Sequence, residues 1–147
     1  MKDFLSSFGN VNERASAFQH AREAHQLEII EDYVELIDDL IHEKGEARAV
    51  DLAALLGVSA ATVNKTLQRL QRDGYVTSEP YRSIFLTDKG RDTATECRRR
   101  HSIVLAALQA IGVDQETARR DAEGIEHHVS ETTLQALVTM TQRLQKL

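Results

Sequence analysis

Between Val50 and Gly74 the chain holds two short amphipathic stretches separated by Gly57-Val58-Ser59, and this run restricts the fold more than any other. Ala53 is small where two helices have to cross closely. Gly57 follows four residues later, where a tight turn favours a left-handed backbone. Val63, six residues further on, is placed to pack back against the first helix. Ser59 is a natural N-cap for the second helix and Gly74 a natural stop. Small residue, glycine and β-branched residue at these offsets predict a helix-turn-helix; a plain helical hairpin of a bundle is the alternative.

The flanking segments predict the winged form of that motif. Tyr75-Val-Thr-Ser-Glu and Ser83-Ile-Phe-Leu-Thr are β-prone runs joined by Pro80-Tyr-Arg. Upstream, a helical period runs from about residue 12 to 44, with an expected break near 25–28. Its stripe is Leu27, Ile30, Val34, Ile37 and Ile41, widened by Tyr33, Leu36 and Leu40, and Gly45 supplies a stop. Residues 1–10 read as weakly ordered. Downstream, Thr87-Asp-Lys-Gly opens a long helix over 88–111, with Ala94, Cys97, His101, Val104 and Leu108 on one line. Asp114 can cap a shorter helix through His128, and Ser130 a last one to about Gln145. The fold class is therefore mainly α.

Composition narrows the function. A chain of 147 residues with one proline, seven glycines and no tryptophan has few breaks and fits one domain or two small subdomains. No apolar run approaches the ~18 residues that span a bilayer. The opening Met-Lys-Asp-Phe-Leu-Ser-Ser lacks a signal peptide's basic end and apolar stretch, so a cytoplasmic protein is expected. Cys97 is the single cysteine, which rules out an internal disulfide; on the apolar side of its helix it reads as a buried, inert thiol. The net charge of −5 argues against indiscriminate nucleic-acid binding, yet it is unevenly spread. Residues 28–46 carry eight acids against Lys44, whereas residues 60–82 carry Lys65, Arg69, Arg72 and Arg82 against Asp73 and Glu79. An acidic protein binds DNA when its contact face is locally positive.

In a helix-turn-helix the N-terminal residues of the second helix meet base edges in the major groove. Here these are Ser59, Ala60, Ala61, Thr62 and Lys65. Arg69 and Arg72 are placed as phosphate clamps, and Arg82 at the wing tip reaches backbone or minor groove. The competing reading makes all of them solvated surface charges. One such module covers too little surface for tight specific binding, so a homodimer on a two-fold operator is expected. The stripe Leu134, Leu137, Val138, Thr141 and Leu144 is the natural dimerisation surface, though part of it must pack within its own subunit.

A second set of residues has metal-ligand character. Glu123, Glu126 and His127 stand at i, i+3 and i+4 of an expected helix, on one side, where two carboxylates and an imidazole can chelate a hard divalent ion. They adjoin a stripe of Ala118, Ala122, Ile125 and Val129. His101 interrupts an apolar line, so it is either hydrogen-bonded in the core or a ligand. The short turn at Gly112–Val113 makes its helix a neighbour of the triplet. In the first helix Asp32 and Glu35 fall on the polar side, and periodicity does not separate them from Glu28, Glu31 or Asp39 as solvated acids.

The strings Glu31-Asp-Tyr-Val-Glu35, the helix-turn-helix, the His101 helix, Ile111-Gly-Val-Asp114 and above all Asp121-Ala-Glu-Gly-Ile-Glu-His-His-Val-Ser130 carry a resemblance. Over roughly Glu28 to Val138 the chain resembles the manganese transport regulator branch of the diphtheria-toxin-repressor family of metal-dependent repressors. The resemblance implies six ligands: Asp32, Glu35, His101, Glu123, Glu126 and His127. It implies two neighbouring Mn²⁺ ions per subunit that share Glu123 and Glu126, at the joint between a DNA-binding and a dimerisation half. Four carboxylates and two imidazoles without sulfur suit Mn²⁺. In the iron-sensing branch the positions of Asp32 and Glu123 resemble Met and Cys. Compared with larger members, no third domain is expected after the dimerisation helices, and about 25 residues precede the first matched helix. His128 is not among the implied ligands, and a hydrogen bond to a neighbour is its expected role.

The expected organisation is an N-terminal extension (1–24), a winged helix-turn-helix DNA-binding domain (25–95) and a helical dimerisation and metal-binding domain (96–147). The implied function is a Mn²⁺-activated dimeric repressor that binds palindromic operator DNA and controls manganese transport genes. It needs no membrane and no small-molecule substrate. An iron-dependent repressor of the same family and a metal-independent winged-helix regulator are the alternatives. An enzyme is disfavoured: the six histidines include no Glu-x-x-His or His-Glu-x-x-His, and there is no Gly-rich phosphate loop.

Overall fold

The computed structural model describes residues 9–79 and 81–147. The first eight residues, most of the segment expected to be weakly ordered, lie outside the described residues, as does Pro80 of the wing turn. Helix α1 spans Val11–Lys44. A capping box starts it: the Asn10 side chain accepts from the Glu13 N–H (3.0 Å), and the Glu13 carboxylate accepts from the Asn10 N–H (2.9 Å). Gly45 stops it in the left-handed conformation, φ 81°. The break expected near 25–28 is absent. Gln26, Leu27 and Glu28 are good helix formers, and the buried Ala24 and Ile30 hold the two sides of that turn.

Helices α2 (Ala49–Leu56) and α3 (Ala60–Arg72) form the helix-turn-helix. Gly57 takes φ 67° and ψ 33°, the left-handed turn its position called for. Ser59 caps α3 by accepting from the Thr62 N–H at 3.1 Å, and Val63 is fully buried. The wing is a short antiparallel pair, β1 (Val76–Thr77) and β2 (Phe85–Leu86), with Val76 opposite Leu86. A bridge from Ile84 to Ala47 ties it to the end of α1. Ile37, Leu52, Val63, Leu70, Val76 and Ile84 bury one core beneath α1, the motif and the wing.

Helix α4 (Asp88–Ala110) is the spine of the molecule: its first half closes the first core through Ala94, and its second half packs on α5 (Gln115–Ile125) and α6 (Glu131–Gln145). Val104, Ala122 and Leu134 form that smaller core. Asp114 and Ser130 cap α5 and α6 as the sequence suggested. Leu134 and Thr141 are buried within their own subunit, while Leu144 remains exposed.

Two local features differ from the sequence reading. Helix α5 ends at Ile125, three residues before the expected His128. The carbonyls of the turn that follows are taken by a side chain from another helix: Arg100 donates from Nε to the Glu126 carbonyl (2.7 Å) and from Nη2 to the Val129 carbonyl (2.8 Å). With the helix ended there, Ile125 is exposed rather than part of the buried stripe. The second feature is Gly90, in the first turn of α4. A Cβ there would lie 2.2 Å from the Tyr75 carbonyl oxygen, an acceptor already serving the Thr87 N–H at 3.0 Å. Gly90→Ala is expected to push α4 off the wing and to cost about 2–4 kcal/mol. Urea unfolding measures it, and a loss below about 0.5 kcal/mol would show that the wing gives way freely.

Candidate metal centre

Three helices deliver the candidate ligands to one place. The middle of α1 brings Glu28, Glu31, Asp32 and Glu35, the middle of α4 brings His101, and the end of α5 brings Glu123, Glu126 and His127. The shortened α5 matters here: with the backbone turning after Ile125, Glu126 faces α4 and His127 faces α1. Arg100, capping that turn, sets the direction of both.

The side chains fall into two close groups. In one, ligand atoms of His101, Glu123 and Glu126 all lie within 4.8 Å of one another, with His101 Nδ1 3.0 Å from Glu126 Oε2 and 3.5 Å from Glu123 Oε1. In the other, Glu28, Asp32 and His127 meet under the same limit, and His127 Nε2 stands 3.1 Å from Asp32 Oδ1. The groups touch where His127 Nε2 comes 3.5 Å from Glu126 Oε1. Of the six expected ligands, Asp32, His101, Glu123, Glu126 and His127 are thus brought together. Glu35 belongs to neither close group, but it is half-buried near enough to influence Glu126.

The electrostatics of this joint are unbalanced without a cation. Burial, then Glu123 and Asp39, push the Glu35 carboxyl up to about 7. Burial, then Glu123 and Glu35, push Glu126 up to about 8. Burial opposes charge on His127, yet the neighbouring Asp32 and Glu31 carboxylates raise it to about 10. The nearby Arg98 is committed elsewhere, to Asp38 at 2.5 Å and Asp39 at 2.7 Å. Four buried atoms have no directed hydrogen-bond partner: His101 Nδ1, both carboxylate oxygens of Glu126, and His127 Nε2. Their neighbours are close in distance but off the hydrogen-bonding directions. Orphaned buried polar atoms are costly, and divalent cations held between these side chains would satisfy them. The donors are carboxylate oxygen and imidazole nitrogen, so the residues present fit a hard or borderline metal ion.

Two residues at this centre were not singled out by sequence reasoning. Glu31 Oε2 is 2.5 Å from His127 Nδ1, a contact that holds the ring and turns Nε2 toward Asp32 and Glu126. Glu28 Oε2 receives both His128 Nε2 (3.1 Å) and His25 Nδ1 (3.3 Å). Against the cost of partial burial, these imidazoles hold the Glu28 carboxyl below the usual carboxylate range. Cys97 is buried close by, and burial, reinforced by Glu31 and Glu35, pushes its thiol strongly up, so it is inert.

In the helix-turn-helix and the wing, Ser59, Ala60, Ala61, Thr62, Lys65, Arg69 and Arg82 are all exposed. Ser59 Oγ and Thr62 Oγ1 are 3.0 Å apart and share a hydrogen bond. Arg82 pairs loosely on the surface with Glu79 at 3.0 Å, and Arg69 with Asp73 at 3.9 Å. Tyr81, beside Arg82 at the wing tip, is fully exposed and has φ 62°.

Fold and site together define a winged-helix DNA-binding protein joined to a helical half that carries metal-ligand side chains. Residues 26–84 match the iron dependent repressor N-terminal DNA binding domain, and residues 87–146 match the iron dependent repressor metal binding and dimerisation domain. The chain belongs to this family of metal-dependent repressors, on the branch of the MntR transcriptional regulators. It is 54% identical over 134 residues to the transcriptional regulator MntR of Salmonella typhimurium, covering 91% of this chain and 85% of that protein. It is 41% identical over 113 residues to the HTH-type transcriptional regulator MntR of Bacillus subtilis, covering 77% and 80%. Among solved structures, a manganese-dependent transcriptional repressor in complex with manganese superposes with a TM-score of 0.69 at 26% identity, over 77% of this chain. The manganese regulator SloR superposes with a TM-score of 0.66 at 24% identity, also over 77%. The chain spans about half the length of these two structures, 52% and 53%.

Proposed function

We propose that the protein is a Mn²⁺-activated dimeric repressor of manganese transport genes, acting in the cytoplasm on palindromic operators and not as an enzyme. Asp32, Glu35, His101, Glu123, Glu126 and His127 would hold two ions per subunit, with Glu123 and Glu126 expected to serve both. The observation that carries this reading is the set of four buried, partnerless donor atoms on His101, Glu126 and His127, at the meeting point of α1, α4 and α5. The manganese named in the relatives' titles and the sulfur-free donor set favour Mn²⁺ over iron.

A bound ion supplies positive charge and fixed coordination directions. Without it, Asp32, Glu35, Glu123 and Glu126 oppose one another, and α1 is free to shift against α4 and α5. With their charge balanced, Asp32 and Glu35 are drawn toward His101 and Glu126. Because α1 shares its core with α2 and α3, that pull sets the orientation of each recognition helix relative to its dimer mate. Ser59, Ala60, Ala61, Thr62 and Lys65 then meet base edges, while Arg69 and Arg82 hold phosphates. The two expected domain boundaries fall inside α1 and α4, so the DNA-binding and metal-binding halves share both helices, which suits a rigid coupling.

The metal raises operator affinity only as far as it prefers the DNA-competent state, a coupling of roughly 1–3 kcal/mol in typical switches. Binding to a promoter fragment from a manganese transporter gene is expected to strengthen at least about tenfold from EDTA to Mn²⁺. Equal affinity in EDTA and Mn²⁺ would reject the switch, and a stronger response to Fe²⁺ than to Mn²⁺ would reassign the metal.

A further inference from the structure

Glu28 stands one helical turn before Asp32 on the same side of α1, outside the six residues that the family resemblance nominates. Its carboxylate lies in the same close group as Asp32 and His127, with ligand atoms within 4.8 Å of one another. His127 is buried, its side chain 1% exposed, and its Nε2 points into this group without a directed partner. Both imidazoles that hold Glu28 approach a single oxygen: His128 Nε2 is 3.1 Å and His25 Nδ1 3.3 Å from Oε2. No hydrogen bond among the described residues uses the other oxygen, Oε1. The carboxylate is therefore anchored on one side and open on the other.

We propose that Glu28 is a further metal ligand: its free oxygen coordinates the ion held by Asp32 and His127, and His128 and His25 serve to aim it. This rests on the two-ion reading above and adds to it a residue that sets which ion is preferred. An additional carboxylate raises the oxygen share and the coordination number at that ion. Octahedral, oxygen-rich surroundings suit Mn²⁺, whereas Zn²⁺ is content with four ligands. Glu28 thus acts in favour of Mn²⁺ more than of Zn²⁺. Its ligating position depends on α1 being continuous through 25–28, since a break there would release the turn that carries it.

The test is direct metal titration of the purified apo protein, by calorimetry and by the loss of the free Mn²⁺ electron-paramagnetic-resonance signal. Wild type, Glu28→Gln, Asp32→Asn and His128→Asn are compared, each with Mn²⁺ and with Zn²⁺. Glu28→Gln is expected to weaken one of two Mn²⁺ ions by at least about tenfold and to change Zn²⁺ binding much less. His128→Asn, which removes an anchor but keeps the carboxylate, is expected to lose less Mn²⁺ affinity than Glu28→Gln. If Glu28→Gln binds both Mn²⁺ ions like wild type while Asp32→Asn loses one, Glu28 is no ligand and the two-ion reading stands. Equal losses for Glu28→Gln and His128→Asn would also overturn direct ligation. If wild type takes up no Mn²⁺, or Asp32→Asn binds like wild type, the underlying reading fails and this inference with it.

Discussion

Glu126→Gln leaves a protein that binds operator DNA equally weakly in EDTA and in Mn²⁺, yet melts at a higher temperature than wild type when both are metal-free. The two halves of this result have one cause. Glu126 is 1% exposed, and neither carboxylate oxygen has a directed partner. Burial, then Glu123 and Glu35, push its carboxyl up to about 8 in the fold, well above an ordinary glutamate. A raised carboxyl contributes stability that is complete below the unfolded value and is lost as pH climbs through the folded one. Metal-free wild type therefore weakens from about pH 4.5 to pH 8, because the fold must keep a proton that the unfolded chain releases. Glutamine cannot ionise, so the melting-temperature gap in favour of Glu126→Gln widens across that range. Near pH 8 it corresponds to about 2–4 kcal/mol, or roughly 5–10 °C. Mn²⁺ at a thousand times its dissociation constant reverses the order, since it stabilises wild type by about 4.1 kcal/mol and the variant gains little. Melting scans at pH 5, 6.5 and 8, with EDTA and with Mn²⁺, read all of this. A variant that kept Mn²⁺-dependent operator binding, or a gap that stayed flat with pH, would remove Glu126 from the centre of the switch.

The elements that could be read from sequence are those whose signals are local. Gly57, Ser59 and Val63 each act within a few residues of themselves, so the turn, the cap and the packing contact of the helix-turn-helix all fall where their chemistry puts them. The caps Asp114 and Ser130 are equally local. The end of α5 was not legible, because its glycine, Gly124, falls inside the helix rather than past its end, and the turn that follows is held by Arg100, 26 residues from Glu126. Gly90 gave no signal either: the carbonyl it must clear belongs to Tyr75 in the wing. At the candidate centre, helical spacing pointed to Glu123, Glu126 and His127, and the break in an apolar line pointed to His101. On α1 one polar side carries Glu28, Glu31, Asp32, Glu35 and Asp39, and charge patterning alone treats them alike. What distinguishes them is the approach of His127 and His128 from α5 and the turn after it, a tertiary fact. The resemblance selected Asp32 and Glu35 from this row; it left Glu31 and Glu28 unassigned.

Lys65→Glu is expected to abolish specific operator binding while metal uptake and melting temperature stay at wild-type values, the complement of Glu126→Gln. Lys65 is exposed in the second turn of α3, and no ion pair among the described residues engages it. The apolar side of the same helix, Val63, Leu67 and Leu70, is buried, so the exposed side of α3 is the one available to the major groove. The substitution changes the charge by two on each recognition helix and therefore by four on a dimer. Placed against phosphates, that reversal is expected to cost at least about 100-fold in affinity at physiological salt, and to lower the salt slope by about two per dimer if Lys65 neutralises one phosphate in each half-site. Lys65→Ala separates contact from repulsion: it loses less, and its pattern across operator variants reveals what Lys65 touches. A uniform loss with a shallower salt slope marks a phosphate contact. A loss confined to one base position, with the slope unchanged, marks a base edge. Lys65→Glu binding the operator as tightly as wild type in Mn²⁺ would mean that α3 does not enter the groove by this face, and the positive charge at Arg69 and Arg82 would then have to carry the contact alone.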